Sequence, residues 1–195
     1  MPATRDVVLI AILTVIWVAI AVIGLFISIP GFAVLYPPVI LMSVYPLLFG
    51  KRGVIAAIPS SIIWNIIKGI FPLGFIADMC GVVLVWMLPI YFLLPPEVAE
   101  FKKAKHFAMY VAVMVPVSIL GVLTVLSVLS VFGIVPQKLI IPVGLITAAA
   151  SIILEIIVAP PLCRGLIKYL KASGMYYGTW RNERMLVKVQ QNSKS

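Results

Sequence analysis

The sequence predicts an all-α, polytopic membrane protein: a six-helix transmembrane bundle with both termini on the cytoplasmic side. Three observations predict it. Hydrophobic residues make up 63% of the 195 residues and charged residues only 11%, whereas an ordinary soluble domain carries about 25% charged residues. A chain this short has too few polar atoms to cover so much apolar surface, and a bilayer removes the need to cover it. The apolar residues also come in runs near the roughly 20 residues that cross a hydrocarbon layer of about 30 Å. Finally, the formal charge of +9 collects in alternate connections, as it does in the cytoplasmic loops of membrane proteins.

Six runs define the expected spans: residues 7–29, 35–49, 54–70, 75–94, 107–135 and 139–170. The first follows Arg5, exceeds the length of a signal-peptide core and lacks a small-x-small cleavage site, so it is expected to remain as a helix. The second and third are short. Pro37 and Pro38 open one and Pro59 interrupts the other, which predicts tilted, kinked or partly re-entrant segments lining a cavity. With the N-terminus inside, Arg5, Lys51, Arg52, Lys102, Lys103, Lys105, Arg164, Lys168 and Lys171 all fall on the inner side, and only Lys68 and Lys138 fall outside. Five crossings would strand a basic loop outside. Residues 1–171 then form the transmembrane domain and 172–195 a basic cytoplasmic tail. In that tail Tyr176, Tyr177 and Trp180 precede Arg181 and Arg184, a composition suited to an anionic leaflet surface or simply to a frayed terminus.

Charge placement argues against nucleic acid as a partner, because the basic residues lie between apolar runs rather than on one patch. The two cysteines, Cys80 and Cys163, form no CxxC or His-bearing metal pattern, and neither a disulfide nor a cofactor is expected. The Gly50-Lys51-Arg52-Gly53 turn lacks the spacing and the Ser/Thr of a phosphate loop, and no HExxH or GxSxG occurs. His106, the single histidine, is expected to be solvated in an inner loop. A thiol enzyme built on Cys163 would need that histidine, so the chain is read as a non-enzyme.

Polar side chains within apolar runs are the candidate site, because each costs at least about 2.5 kcal/mol at mid-membrane if charged. Asn65 and Lys68 close the third run and Asp78 opens the fourth. The short connection 69–74 brings these residues, with Trp64, together near the outer face. They form either an outward-facing polar pocket with an aromatic wall or a simpler arrangement in which Lys68 snorkels to the headgroups and Asp78 pairs with it. Depth alone adds Tyr36, Gln137 and Thr147 to the pocket. Glu155 lies about 24 Å along the last helix from Leu139 at 1.5 Å per residue. That depth places it near the inner side, for a salt bridge with Arg5, Lys51 or Arg52 or for a coupling role. Ala11, Ala19, Ala21 and Gly24 give the first helix small residues, for packing inside the bundle or for docking another membrane subunit.

The order of features from Leu48-Phe49-Gly50-Lys51-Arg52-Gly53 through Val54–Ser61, Phe71-Pro72, Ile76-Ala77-Asp78 and Gly81 resembles the substrate-binding S components of energy-coupling factor (ECF) transporters. The likeness covers residues 46 to 81; elsewhere only length and expected topology agree. It implies a carrier for a vitamin or similar small molecule, with a pocket opening outward, that docks on a transmembrane coupling subunit driven by a pair of ATPases. Family members often carry Ala-x-x-x-Ala on the first helix; here Ala11 is followed by Val15, and Ala11, Ala19 and Ala21 stand in as the docking residues. An acid in the pocket suits an amine or cationic ring, and Lys68 suits a carboxylate or phosphate equally. A non-transporting sensor or scaffold acting through its basic tail is the alternative.

Overall fold

The computed structural model describes residues 3–27, 36–182 and 184. Within them every regular element is helical: α1 (Ala3–Ile27), α2 (Val39–Phe49), α3 (Lys51–Ile67), α4 (Leu73–Leu93), α5 (Ala104–Val131) and α6 (Ile140–Ala172), with short 3₁₀ segments at Pro96–Glu100 and Gln137–Leu139. Four of these helices, α1, α4, α5 and α6, are long and apolar enough to cross a membrane. Their outer faces carry large aliphatic side chains, among them Val15 at 67% and Ile157 at 64% exposed. So much uncovered apolar surface fits lipid and not water.

The described helices match the expected runs within a few residues, residues 28–29 and 35 of those runs lying outside the described residues, and the second and third are shorter than the other four. Both are continuous helices, of 11 and 17 residues, and neither is broken at Pro46 or Pro59. They form a tight hairpin that turns at Gly50, whose φ of 58° and ψ of −135° fall where a Cβ would be strained. Three residues later a Cβ on Gly53 would lie 2.4 Å from the Tyr45 carbonyl oxygen, so glycine is what lets α3 turn back against α2. Helix α3 begins at Lys51, earlier than residue 54. Arg52 is no mere turn residue: its Nε and Nη2 donate to the two carboxylate oxygens of Asp6 at 2.6 and 2.9 Å.

Short α2 is the central strut. Ten of its residues are buried, from Val39 to Phe49, and it packs on α3, α4 and α6. Helix α1 lies along α3, and α5 lies between α4 and α6. The α4–α5 crossing is close. A Cβ on Gly81 would meet the Gly121 carbonyl oxygen at 2.6 Å, and a Cβ on Gly121 would meet the Trp86 ring at 2.7 Å. Helix α4 is wound as a π-helix from Met79 to Met87, and Leu88 N–H bonds back to the Val83 carbonyl. Pro89 accounts for the wider turns. It has no N–H for the Val85 carbonyl, and its ring would crowd that carbonyl in regular α geometry.

Helix ends are closed by distant parts of the chain. The last carbonyls of a helix lack intrahelical donors. At the end of α6, Arg5 Nη2 donates to the Ser173 and Gly174 carbonyls at 3.1 and 2.9 Å. At the end of α2, the Leu48 carbonyl accepts from Tyr177 N and Gly178 N at 3.1 and 3.2 Å. Residues 173–182 therefore pack against the bundle. The Arg52 guanidinium covers the Tyr177 ring at 3.6 Å, Tyr176 hydroxyl donates to the Pro96 carbonyl, Thr179 is fully buried, and Trp180 packs edge-on against Phe92 at 5.6 Å. The tail aromatics Tyr176, Tyr177 and Trp180 thus make contacts with the protein itself. The rest of the tail, residue 183 and residues 185–195, lies outside the described residues. His106, expected in solvent, is half-buried with its Nδ1 covered.

Two glycine substitutions test this packing. Gly53→Val drives a side chain into the Tyr45 backbone and should cost at least about 1–3 kcal/mol, read as a lower melting temperature in detergent. Gly165, in α6, has nothing within 4 Å of an added Cβ. Gly165→Ala should raise stability by about 0.5–1 kcal/mol through helix propensity alone.

Candidate functional site

Two polar clusters interrupt the apolar interior. The first joins α3 to α4. Ser61 and Asn65 are one helical turn apart, so both face the same side, and the connection after Ile67 returns the chain so that Asp78 meets them. Ser61 Oγ donates to Asp78 Oδ2 at 2.5 Å and Asn65 Nδ2 donates to the same oxygen at 2.7 Å. Asn65 Nδ2 also reaches Ser61 Oγ and the Ser61 carbonyl. Asp78 itself is half-buried, and its other oxygen, Oδ1, accepts no hydrogen bond among the described residues. Asn65 is 1% exposed and its Oδ1 has no hydrogen-bond partner among the described residues. That oxygen abuts Gly74, where a Cβ would stand 1.9 Å away.

The expected neighbours divide. Trp64 is buried next to the cluster, Tyr36 lies 5.7 Å from it ring to ring, and Lys68 Nζ stands 5.3 Å from the Trp64 ring centroid. Tyr36 in turn touches Trp17 of α1. No ion pair closes between Lys68 and Asp78 among the described residues; the lysine is exposed and rests on the indole face. Thr147 does not join them. It is half-buried on α6, a helix packed on α2 and α5, and its carbonyl accepts from Ser151 Oγ. Gln137 is exposed at the start of the last helical stretch.

The second cluster was not expected. Glu155 is fully buried, and its partners are hydroxyls, not cations. Ser43 Oγ of α2 donates to Oε1, and Ser118 Oγ of α5 donates to Oε2 at 2.9 Å. Trp86 borders the carboxyl and Tyr110 lies alongside, yet neither Trp86 Nε1 nor the Tyr110 hydroxyl closes a hydrogen bond. The expected salt bridge fails for a reason of position. Arg52 is taken by Asp6 and Arg5 caps α6, both at the bundle's end, whereas Glu155 lies 17 residues before the end of α6. Ser43 and Ser118 are unremarkable in sequence, so only the packing of α2, α5 and α6 makes them partners.

Of the proposed docking alanines, Ala11 and Ala19 are exposed on one face of α1 with Val15 between them, whereas Ala21 is 1% exposed and faces the bundle. Cys163 is fully buried. Among the described residues no cluster of His, Cys, Asp or Glu suits a metal ion. The chain matches no family model, no curated protein and no solved structure.

The Glu155 cluster makes a stability prediction. Glu155→Gln keeps the shape and at least one acceptor for the two hydroxyls, and should shift the melting temperature little. Glu155→Ala leaves a void and two buried serine donors without partners, and should cost about 2–4 kcal/mol. In the first cluster, Gly74→Ala should displace Asn65 and cost about 1–3 kcal/mol. Both are read by thermal unfolding of the purified protein.

Proposed function

We propose that this chain is the substrate-binding subunit of an ECF-type transporter, embedded in the cell membrane by six crossings with both termini cytoplasmic. In this role it captures a vitamin or similar small molecule from outside and passes it inward through a transmembrane coupling subunit and a pair of ATPases. The single observation that carries the reading is Asp78. One carboxylate oxygen accepts from both Ser61 and Asn65, and the other has no donor among the described residues. Tyr36, Trp64 and Lys68 stand around it. An acid held rigid on one oxygen and open on the other is organised to receive a donor from a ligand, with an aromatic pair to cover its apolar part. This favours a ligand with an amine or cationic ring. The topology is supported by Arg5, which ties the start of α1 to the end of α6. It is also supported by the α2–α3 hairpin, whose Gly50 turn lies at that same basic end, against Tyr177 and Asp6.

A sensor or scaffold module is the second reading, favoured by the folding of residues 173–182 onto that hairpin. Truncation separates the two. Removing everything after Ala172 strips contacts from Leu48 and Arg52 and should destabilise the protein under either reading. Removing only residues 185–195 should spare uptake if the chain is a carrier and abolish output if the tail signals.

Native mass spectrometry of the purified protein should find a small molecule retained, or a coupling protein co-purifying. Asp78→Asn should weaken retention about tenfold or more with little change in melting temperature, while Glu155→Gln leaves retention intact. Equal or reversed effects would move the pocket away from Asp78.

A further inference from the structure

The inner ends of α5 and α6 carry a feature that the proposed substrate site does not use. Two grooves of about 560 and 470 Å³ adjoin there and share Lys102 and Arg164. The groove nearer the end of α6 adds Lys168 and Lys171, and the other adds Lys103. The one carboxylate among these side chains is Glu100. It is bonded to Lys171 at 2.5 Å and to Lys102 at 2.9 Å, and the two ammonium groups hold its carboxyl down to about 2. It therefore stays ionised at neutral pH and offsets only one charge. Lys103, Arg164 and Lys168 have no carboxylate partner among the described residues. Arg164 gives one donor to the Phe101 carbonyl, and four N–H groups of its guanidinium are left.

The polarity of the site is graded along α6. Past Arg164, toward mid-membrane, the second groove is walled by Phe107, Ile156 and Pro160. It gives onto the outer face of the helix, where Ile153 and Ile157 are 58% and 64% exposed. Cations at the membrane surface followed by an apolar, lipid-facing wall match the order of groups in a phospholipid, phosphate first and acyl chain next. A soluble anion would use the cations and leave the wall unused.

We propose that this double groove is a binding site for an anionic phospholipid of the inner leaflet, its phosphate held by Lys103, Arg164 and Lys168 and its acyl chain laid along Phe107 and Ile156. The proposal rests on the membrane setting and the inner position of this end, and not on any substrate. The test uses the purified full chain in detergent, titrated with dioleoyl phosphatidylglycerol or dioleoyl phosphatidylcholine and read by native mass spectrometry. The wild type should retain the anionic lipid over the neutral one. Lys103→Gln with Lys168→Gln removes two side chains that have no carboxylate partner among the described residues. This double variant should lower that retention about tenfold or more, since each cation near a charged leaflet is worth about fivefold. Arg164→Gln should act in the same direction, and Lys138→Gln, beyond the other end of α5, should change nothing. Equal retention of both lipids, an unchanged double variant, or an equal loss in the Lys138 variant would overturn the proposal. So would inorganic phosphate alone raising the melting temperature as much as the anionic lipid does, which would make the groove a site for soluble anions.

Discussion

A polar group inside an apolar bundle can bond only with other parts of the protein, and this constraint is concentrated on α2. Almost wholly enclosed, the helix offers its neighbours three polar contacts at three depths. Ser43 bonds to Glu155 of α6, Tyr45 hydroxyl donates to the Leu13 carbonyl of α1 at 2.8 Å, and the Leu48 carbonyl accepts from the segment after α6. Each contact joins α2 to a part of the chain distant in sequence. Only 11 residues long, α2 spans about 16 Å, and its position depends on these neighbours more than on its own length.

The two acidic clusters use this constraint differently. Around Glu155 both carboxylate oxygens are engaged and the side chain is sealed, so the group holds three helices in register. Around Asp78 only one oxygen is engaged among the described residues, and the residue is half-buried. The difference follows from the surroundings: Glu155 is enclosed by α2, α5 and the π-wound part of α4, while Asp78 lies where that π segment begins, close to the turn between α3 and α4. A closed cluster serves packing, and a cluster with a free acceptor can serve recognition.

Much of this was legible from local signals. The apolar runs marked six helices, four of which are long and apolar enough to cross a membrane, and the convergence of Asn65 with Asp78 followed from a connection too short to place them apart. Three features were not legible, for physical reasons. Glu155 pairs with Ser43, 112 residues away, and serines carry no charge pattern to reveal such a pairing. Thr147 was assigned by depth, but depth does not specify which side of a helix faces which neighbour. The docking of residues 173–182 joins two main-chain N–H groups to Leu48 and several side chains to partners far away in sequence, which no local pattern reveals. Proline misled in the opposite direction. Pro59 lies within an unbroken helix, as prolines in packed membrane helices can.

The contact between Tyr177 and Leu48 also bears on biogenesis. A ribosome inserting this chain delivers the hairpin well before its covering segment, which follows α6. Until Tyr177 emerges, the end of α2 keeps the Leu48 carbonyl without its two donors from Tyr177 and Gly178, and the Arg52 guanidinium lacks the aromatic ring that shields it. A product terminated before Tyr177 would contain α1 to α6 yet expose that unfinished face, by which a quality-control protease could distinguish it from the finished molecule.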